Sequence, residues 1–148
     1  MPGLRFEHVG LTVSNLDKMV AFFSEMLDFT VGARIRPFDP AAVAGITGVS
    51  AAVVDEVAYV SKGDLTFELL QYRQPESLRS PLRPCDPGYL HWLVMVDDVP
   101  GTVARAAAYG FAQVSQPYLI AAGPNAGKRG TYLRHTDGFS LEVIGPAS

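Results

Sequence analysis

One cysteine among 148 residues leaves Cys85 without a partner, so no internal disulfide can staple the chain. Its neighbours, Pro81 to Pro87, read as a surface loop, no reactive role is expected for the thiol, and a reducing compartment, the cytoplasm, is the expected location. Long apolar runs are also missing. None approaches the roughly 20 residues that span a bilayer, and the first residues lack a positively charged stretch leading into an apolar one, so no membrane association is expected. Basic charge is scarce: 12 Lys and Arg stand against 15 Asp and Glu, interspersed, for a net charge of -3. Without a basic stripe to follow a phosphate backbone, nucleic-acid binding is excluded. What remains is a chain long enough to bury roughly two-thirds of its unfolded surface as one domain, residues 1–148, without staples.

Alternation organises the chain. Leu4 to Val13 predicts a strand with Val9, Leu11 and Val13 on one face and His8, Gly10 and Thr12 on the other. Ser14 or Asn15 caps a helix whose apolar residues, Leu16, Met19, Val20, Phe22, Phe23, Met26 and Leu27, recur at helical spacing through to Asp28. Thr30 to Arg36 is the next strand, and Ala41 to Gly48 is a small-residue connection with room for a helical turn. Val53 to Val60 and Leu65 to Tyr72 form a hairpin turning at Lys62-Gly63-Asp64. The Pro-rich stretch 74–87 is the linker between two modules, approximately 1–73 and 88–148. The second module repeats the first: His91 to Val96 alternates like His8 to Val13, Asp97 or Asp98 caps a helix over Val99 to Tyr109, and Gly110 ends it. Superposing His91 on His8 places Val96 on Val13 and Val103 on Val20. Ala112 to Ser115 is a short strand, Gln116 to Lys128 a long loop, and Gly130 to Arg134 with Ser140 to Ile144 the closing hairpin. The fold class is therefore α+β: two tandem βαβββ modules forming a cup-shaped mixed β-sheet with helices outside.

Against this apolar background four polar residues stand out. His8 and His91 open their strands, and Glu68 and Glu142 occupy the middle of Phe67-Glu68-Leu69-Leu70 and Leu141-Glu142-Val143-Ile144. A mid-strand carboxylate is costly to bury unless something positive meets it. Residues at alternate positions share a face, so the four can converge if the modules pack by an approximate twofold. Two imidazoles and two carboxylates suit Zn, Ni, Co, Fe or Mn, with one or two positions left for water or substrate. His8, Glu68, His91 and Glu142 are the candidate metal ligands.

The same stretches carry a resemblance. His8-Val9-Gly10-Leu11-Thr12-Val13-Ser14-Asn15-Leu16 with Phe22-Phe23 and Leu27-Asp28-Phe29, then Phe67-Glu68-Leu69-Leu70, His91 leading into Val96-Asp97-Asp98, and Asp137-Gly138-Phe139-Ser140-Leu141-Glu142 resemble the vicinal oxygen chelate superfamily. That group includes glyoxalase I, methylmalonyl-CoA epimerase, extradiol dioxygenases and the bleomycin- and fosfomycin-resistance proteins. The resemblance implies the glyoxalase/bleomycin resistance fold, a divalent metal on the four residues above with ligands drawn from one chain or two, and a homodimer. It further implies an isomerase, epimerase or lyase acting through a metal-stabilised enolate on a small oxygenated substrate, such as a thioester or hemithioacetal, with Glu142 as first choice of base and Glu68 as second. The alternatives it carries are an Fe(II) extradiol-type dioxygenase, against which the second carboxylate counts, and a drug- or natural-product-binding protein without chemistry. Two departures stand out. The epimerase pattern has a Glu before a Gly-Val pair where Thr47 precedes Gly48-Val49, the nearest carboxylates being Asp55 and Glu56, and the family's Asp-Pro-Asp-Gly turn is His135-Thr136-Asp137-Gly138. His135 is expected on an exposed turn, or else at the pocket mouth. Arg34, Arg36, Arg129 and Arg134 are expected to be solvated, and Tyr59, Tyr72, Tyr132 and Met95 either line the cavity or pack.

Overall fold

Parallel pairing of a module's first strand with its last sets the architecture, and it occurs twice. The computed structural model describes residues 3–36, 38–78 and 82–147, and the chain forms two compact units, Met1–Leu78 and Arg79–Ser148. In the first, β1 (Val9–Thr12), α1 (Leu16–Ala21), β2 (Thr30–Ile35), α2 (Pro40–Thr47), β3 (Val53–Lys62) and β4 (Leu65–Gln74) give a sheet of order β1-β4-β3-β2. In the second, β5 (His91–Met95), α3 (Val99–Ala106), β6 (Phe111–Gln113), β7 (Tyr118–Leu119), β8 (Arg129–His135) and β9 (Ser140–Gly145) give the order β5-β9-β8-β6, with β7 paired to β8. β1 runs parallel to β4 and β5 parallel to β9, and the remaining pairs are antiparallel. Among the described residues no helix is long and apolar enough to cross a membrane.

The first strand is shorter than the alternation from Leu4 predicts. Leu4 and Phe6 are exposed; counting back from Val9 opposite Phe67 brings Glu7 opposite Leu65, where β4 itself begins. Leu4 to Phe6 fall ahead of the start of β4 and have no partner there, and the ladder itself starts only at Val9, so His8 stands one residue ahead of the strand. The helix after it begins where expected: the Asn15 side chain accepts from Lys18 N at 2.9 Å, and Gln71 Oε1 accepts from Leu16 N at 2.7 Å. Beyond Ala21 it widens into a π-helical turn, Phe22–Met26, in place of the regular helix to Asp28. A widened turn accommodates two consecutive aromatic side chains pointing inward. Both rings are fully buried, Phe22 edge-on to Phe23 at 5.4 Å, and Phe23 in turn 4.8 Å from Phe67 and 5.1 Å from Phe29.

The small-residue connection is a complete short helix, α2, capped by Asp39 accepting from Ala41 N and stopped by Gly48 at φ 71°. Hairpin β3–β4 turns through Gly63-Asp64, where Gly63 takes φ 58°. In the second unit Asp98 caps α3 by accepting from Gly101 N, with Pro100 in the first turn, and the last turn, Ala107–Tyr109, tightens to a 3₁₀ helix. The loop after Gln116 is not wholly irregular, because Tyr118 and Leu119 pair with Gly130 and Arg129.

Two of the arginines expected to be solvated are engaged by a buried carboxylate. Arg34 Nε and Nη2 donate to the two oxygens of Glu56 at 2.7 and 2.9 Å, Arg34 Nη2 also reaches Asp17 at 2.6 Å, and Arg36 Nη2 lies 3.0 Å from Glu56. The Arg34 bond holds the Glu56 carboxyl below the ordinary carboxylate range against the opposing effect of burial. A depressed folded-state pKa stabilises the fold above the unfolded value and loses that contribution as pH falls through the folded value. In melting curves, the difference between wild type and Arg34→Met is therefore expected to be constant near neutrality and to shrink as the pH is lowered from about 5. Parallel curves down to acid pH would contradict the assignment.

Candidate metal centre

In the first unit the approach of His8 to Glu68 follows from strand register. Gly10 lies opposite Glu68 in the parallel ladder, and His8, two residues earlier, shares its face. The His8 Nε2 atom is 3.2 Å from Glu68 Oε2, with side chains 32% and 21% exposed. On the far side of the ring His8 Nδ1 contacts the Glu7 carboxylate. A proton held there leaves Nε2 with its lone pair, the form that binds a metal. The imidazole pKa is raised, first by the Glu7 hydrogen bond and less by Glu68, while burial works the other way. The second oxygen of the carboxylate, Oε1, accepts from the Tyr59 hydroxyl at 2.5 Å. That bond, with burial and the charge of Glu68, pushes the Tyr59 phenol up to about 12.

The second unit repeats the arrangement at the same register. Leu93 lies opposite Glu142 in the parallel ladder, His91 is two residues earlier, and its Nε2 is 3.5 Å from Glu142 Oε2. Tyr132 stands directly across from Glu142, as Tyr59 does from Glu68. Its ring packs on the His91 ring at 5.2 Å, and its phenol pKa is raised, chiefly by burial and then by the charge of Glu142. Tyr89 adds a ring 6.1 Å from His91 and donates its hydroxyl to Ser140. Each unit thus brings together one predicted His and one predicted Glu, and among the described residues no group of three or more His, Cys, Asp or Glu is assembled into a metal cluster.

Of the residues expected to line a cavity or pack, Tyr59 and Tyr132 stand across from the two glutamates, a pairing for which the turn held the signal. Counting outward from the two-residue loop Gly63-Asp64 pairs Lys62 with Leu65 and, three steps on, Tyr59 with Glu68. His135 is a correction in the other direction. It is 6% exposed, stacked on Phe139 at 4.6 Å and edge-on to Phe111 at 4.9 Å. Its Nδ1 accepts from Asp137 N at 3.0 Å and its Nε2 donates to Tyr109 O at 3.1 Å. Close packing against Gly110, at φ 97°, completes its enclosure: a Cβ there would stand 3.0 Å from Nε2. His135 is a core residue that ties the end of the α3 segment to the β8–β9 turn. Glu56 is held by its two arginines and so is not a free base in place of the glutamate missing before Gly48.

The donor pairs fit a divalent cation. Two ligands each about 2.1 Å from one ion stand roughly 3.0 Å apart in octahedral and roughly 3.4 Å apart in tetrahedral geometry. The nitrogen–oxygen separations of 3.2 and 3.5 Å lie close to that range, and mixed imidazole and carboxylate ligation suits borderline divalent metals.

Comparison with known proteins agrees in fold and family. Residues 7–132 match the model of the Glyoxalase/Bleomycin resistance protein/Dioxygenase superfamily. A 2-epi-5-epi-valiolone epimerase from an Actinomyces species is 31% identical over 97% of this chain and 81% of its own length. Among solved structures, a glyoxalase family protein from Bacillus cereus superposes with a TM-score of 0.75 at 23% identity, over 98% of this chain and 95% of that one. The fosfomycin resistance protein of Listeria monocytogenes, solved with Mn(II) and sulfate, superposes at 0.57 with 13% identity, over 99% and 94% of the two chains. With its paired mixed sheets and a family match over most of its length, the chain belongs to the glyoxalase/bleomycin resistance protein/dioxygenase superfamily.

Proposed function

We propose that this protein is a divalent-metal-dependent epimerase that moves a proton on the carbon next to a carbonyl. The observation that carries this reading is the recurrence, at one register in both units, of a His nitrogen facing a Glu oxygen at 3.2 and 3.5 Å. Inversion at a carbon, in preference to other isomerase or lyase chemistry, is supported by the relative named as an epimerase at 31% identity. The ketone in that relative's name is the first substrate to try.

His8, Glu68, His91 and Glu142 would hold the cation. Bound there, it would supply the positive charge that neutralises the oxyanion developing as a carbon acid beside a carbonyl is deprotonated, an effect of several kcal/mol. The residues of the chain do the rest. The His8 ring presents Nε2 because Glu7 occupies Nδ1. Glu142 is the base: it accepts the proton on a carboxylate oxygen and, once the planar deprotonated carbon has turned its other face to the same carboxylate, returns a proton there with inversion.

The test is wash-in of solvent deuterium. Protein stripped by chelator and reloaded with Mn, Co or Ni is incubated with 2-epi-5-epi-valiolone in heavy water and followed by NMR. Deuterium at the inverting carbon that disappears on stripping and returns on reloading is the expected result. Exchange that persists in the stripped protein, or none with any of the three metals, overturns the proposal.

A further inference from the structure

The two carboxylates of the candidate centre are not held alike. β3–β4 pairing sets Tyr59 opposite Glu68, and β8–β9 pairing sets Tyr132 opposite Glu142. Cross-strand partners of this kind have Cβ atoms about 4.5–5.5 Å apart, so both tyrosines start from equivalent backbone positions. Their hydroxyls differ in what they do. Tyr59 donates to Glu68 Oε1 at 2.5 Å while Glu68 Oε2 faces His8 Nε2 at 3.2 Å, so both oxygens of that carboxylate are engaged. Among the described residues neither oxygen of Glu142 accepts a hydrogen bond from Tyr132. The Tyr132 ring instead lies against His91, and Glu142 Oε2 is 3.5 Å from the His91 nitrogen. The histidines follow the same division: His8 has Glu7 on its far nitrogen, whereas Leu90 occupies the corresponding place before His91.

We propose that Tyr59 is a positioning residue that makes Glu68 a fixed ligand, a part that Tyr132 does not play for Glu142. This rests on the reading above, in which the four residues hold a divalent cation. A carboxylate that collects a proton must rotate and release an oxygen, which a hydrogen bond to its second oxygen resists. A carboxylate that only ligates benefits from the same bond, because its orientation is set before the cation arrives. Similar strand patterns therefore yield two roles, separated by one phenolic hydrogen bond.

The experiment is titration of the stripped full-length protein with Co(II), followed by calorimetry and by the visible spectrum of the bound ion. Wild type is compared with Tyr59→Phe and Tyr132→Phe, each of which removes a single oxygen and keeps the ring in place. Tyr59→Phe is expected to weaken Co(II) binding by about 10- to 100-fold, as loss of a bond to a ligand typically does, and to alter the Co(II) bands. Tyr132→Phe is expected to stay within about twofold of wild type with its bands unchanged, on the scale set by the same principle. Equal affinities and spectra for wild type and Tyr59→Phe overturn the proposal, as does an equal loss in both variants. His8→Ala and His91→Ala, run alongside, separate this failure from a broader one. If wild type takes up no Co(II), or these variants take it up undiminished, the metal reading itself falls and the role of Tyr59 falls with it.

Discussion

Replacing Glu142 by Gln is expected to slow proton exchange at the substrate carbon by about 10²- to 10⁴-fold, the range in which a positioned general base contributes. The substitution keeps the shape of the side chain and one oxygen that can face a cation, but it removes the basic lone pair. The expectation rests on a Glu142 side chain that is 24% exposed, with the His91 Nε2 atom 3.5 Å from its Oε2. Glu68→Gln should behave differently. Its oxygens are committed to Tyr59 and His8, so the larger loss is expected in metal affinity, and excess metal should restore part of the exchange rate. Deuterium wash-in measured at saturating metal for both variants separates the roles. A Glu142→Gln rate within tenfold of wild type would remove this residue from the chemistry.

The largest stability effect is expected at Phe23. Its ring is fully buried and touches Phe22, Phe29 and Phe67, where the π-helical turn after α1 meets β4. Truncation to alanine removes the transfer free energy of the ring and leaves a cavity whose walls relax only in part, a combined cost of about 4 kcal/mol. For a domain of this length that corresponds to a fall in melting temperature of roughly 10 to 15 °C. Because Phe67 precedes Glu68 and points to the opposite face of β4, the surviving folded fraction should also bind metal less tightly. A loss below about 1 kcal/mol would mean that the widened turn closes over the gap and that the aromatic cluster is not the organising core of the first unit.

How much of this could be read beforehand depended on the range of each interaction. The pairing of His8 with Glu68 and of His91 with Glu142 was legible because a polar side chain interrupting an apolar alternation is a local signal, and writing the signal twice in the same order doubled it. Asn15 and Asp98 were legible as one of two candidates each, since a cap is set within a few residues. The length of β1 was not: whether Leu4 to His8 continues the strand depends on where β4 begins, some sixty residues away in the chain. Two adjacent phenylalanines fit a regular amphipathic helix on paper, and the demand that both be buried appears only when Phe29 and Phe67 are in place. His135 looked like an ordinary turn residue because its partner, the Tyr109 carbonyl, lies on another element. The Arg34–Glu56 pair was hidden behind an irregularity in the β2–β3 register. The Tyr59–Glu68 pairing was open to simple counting from the Gly63-Asp64 turn, and it separates the two carboxylates more sharply than sequence position does.

Cobalt stoichiometry is the most direct measure of whether four side chains serve one cation. The stripped protein should take up one Co(II) per chain, and His8→Ala, Glu68→Gln, His91→Ala and Glu142→Gln should each weaken that single binding event. Two independent binding events per chain, one lost with the His8 and Glu68 variants and the other with the His91 and Glu142 variants, would contradict a shared centre.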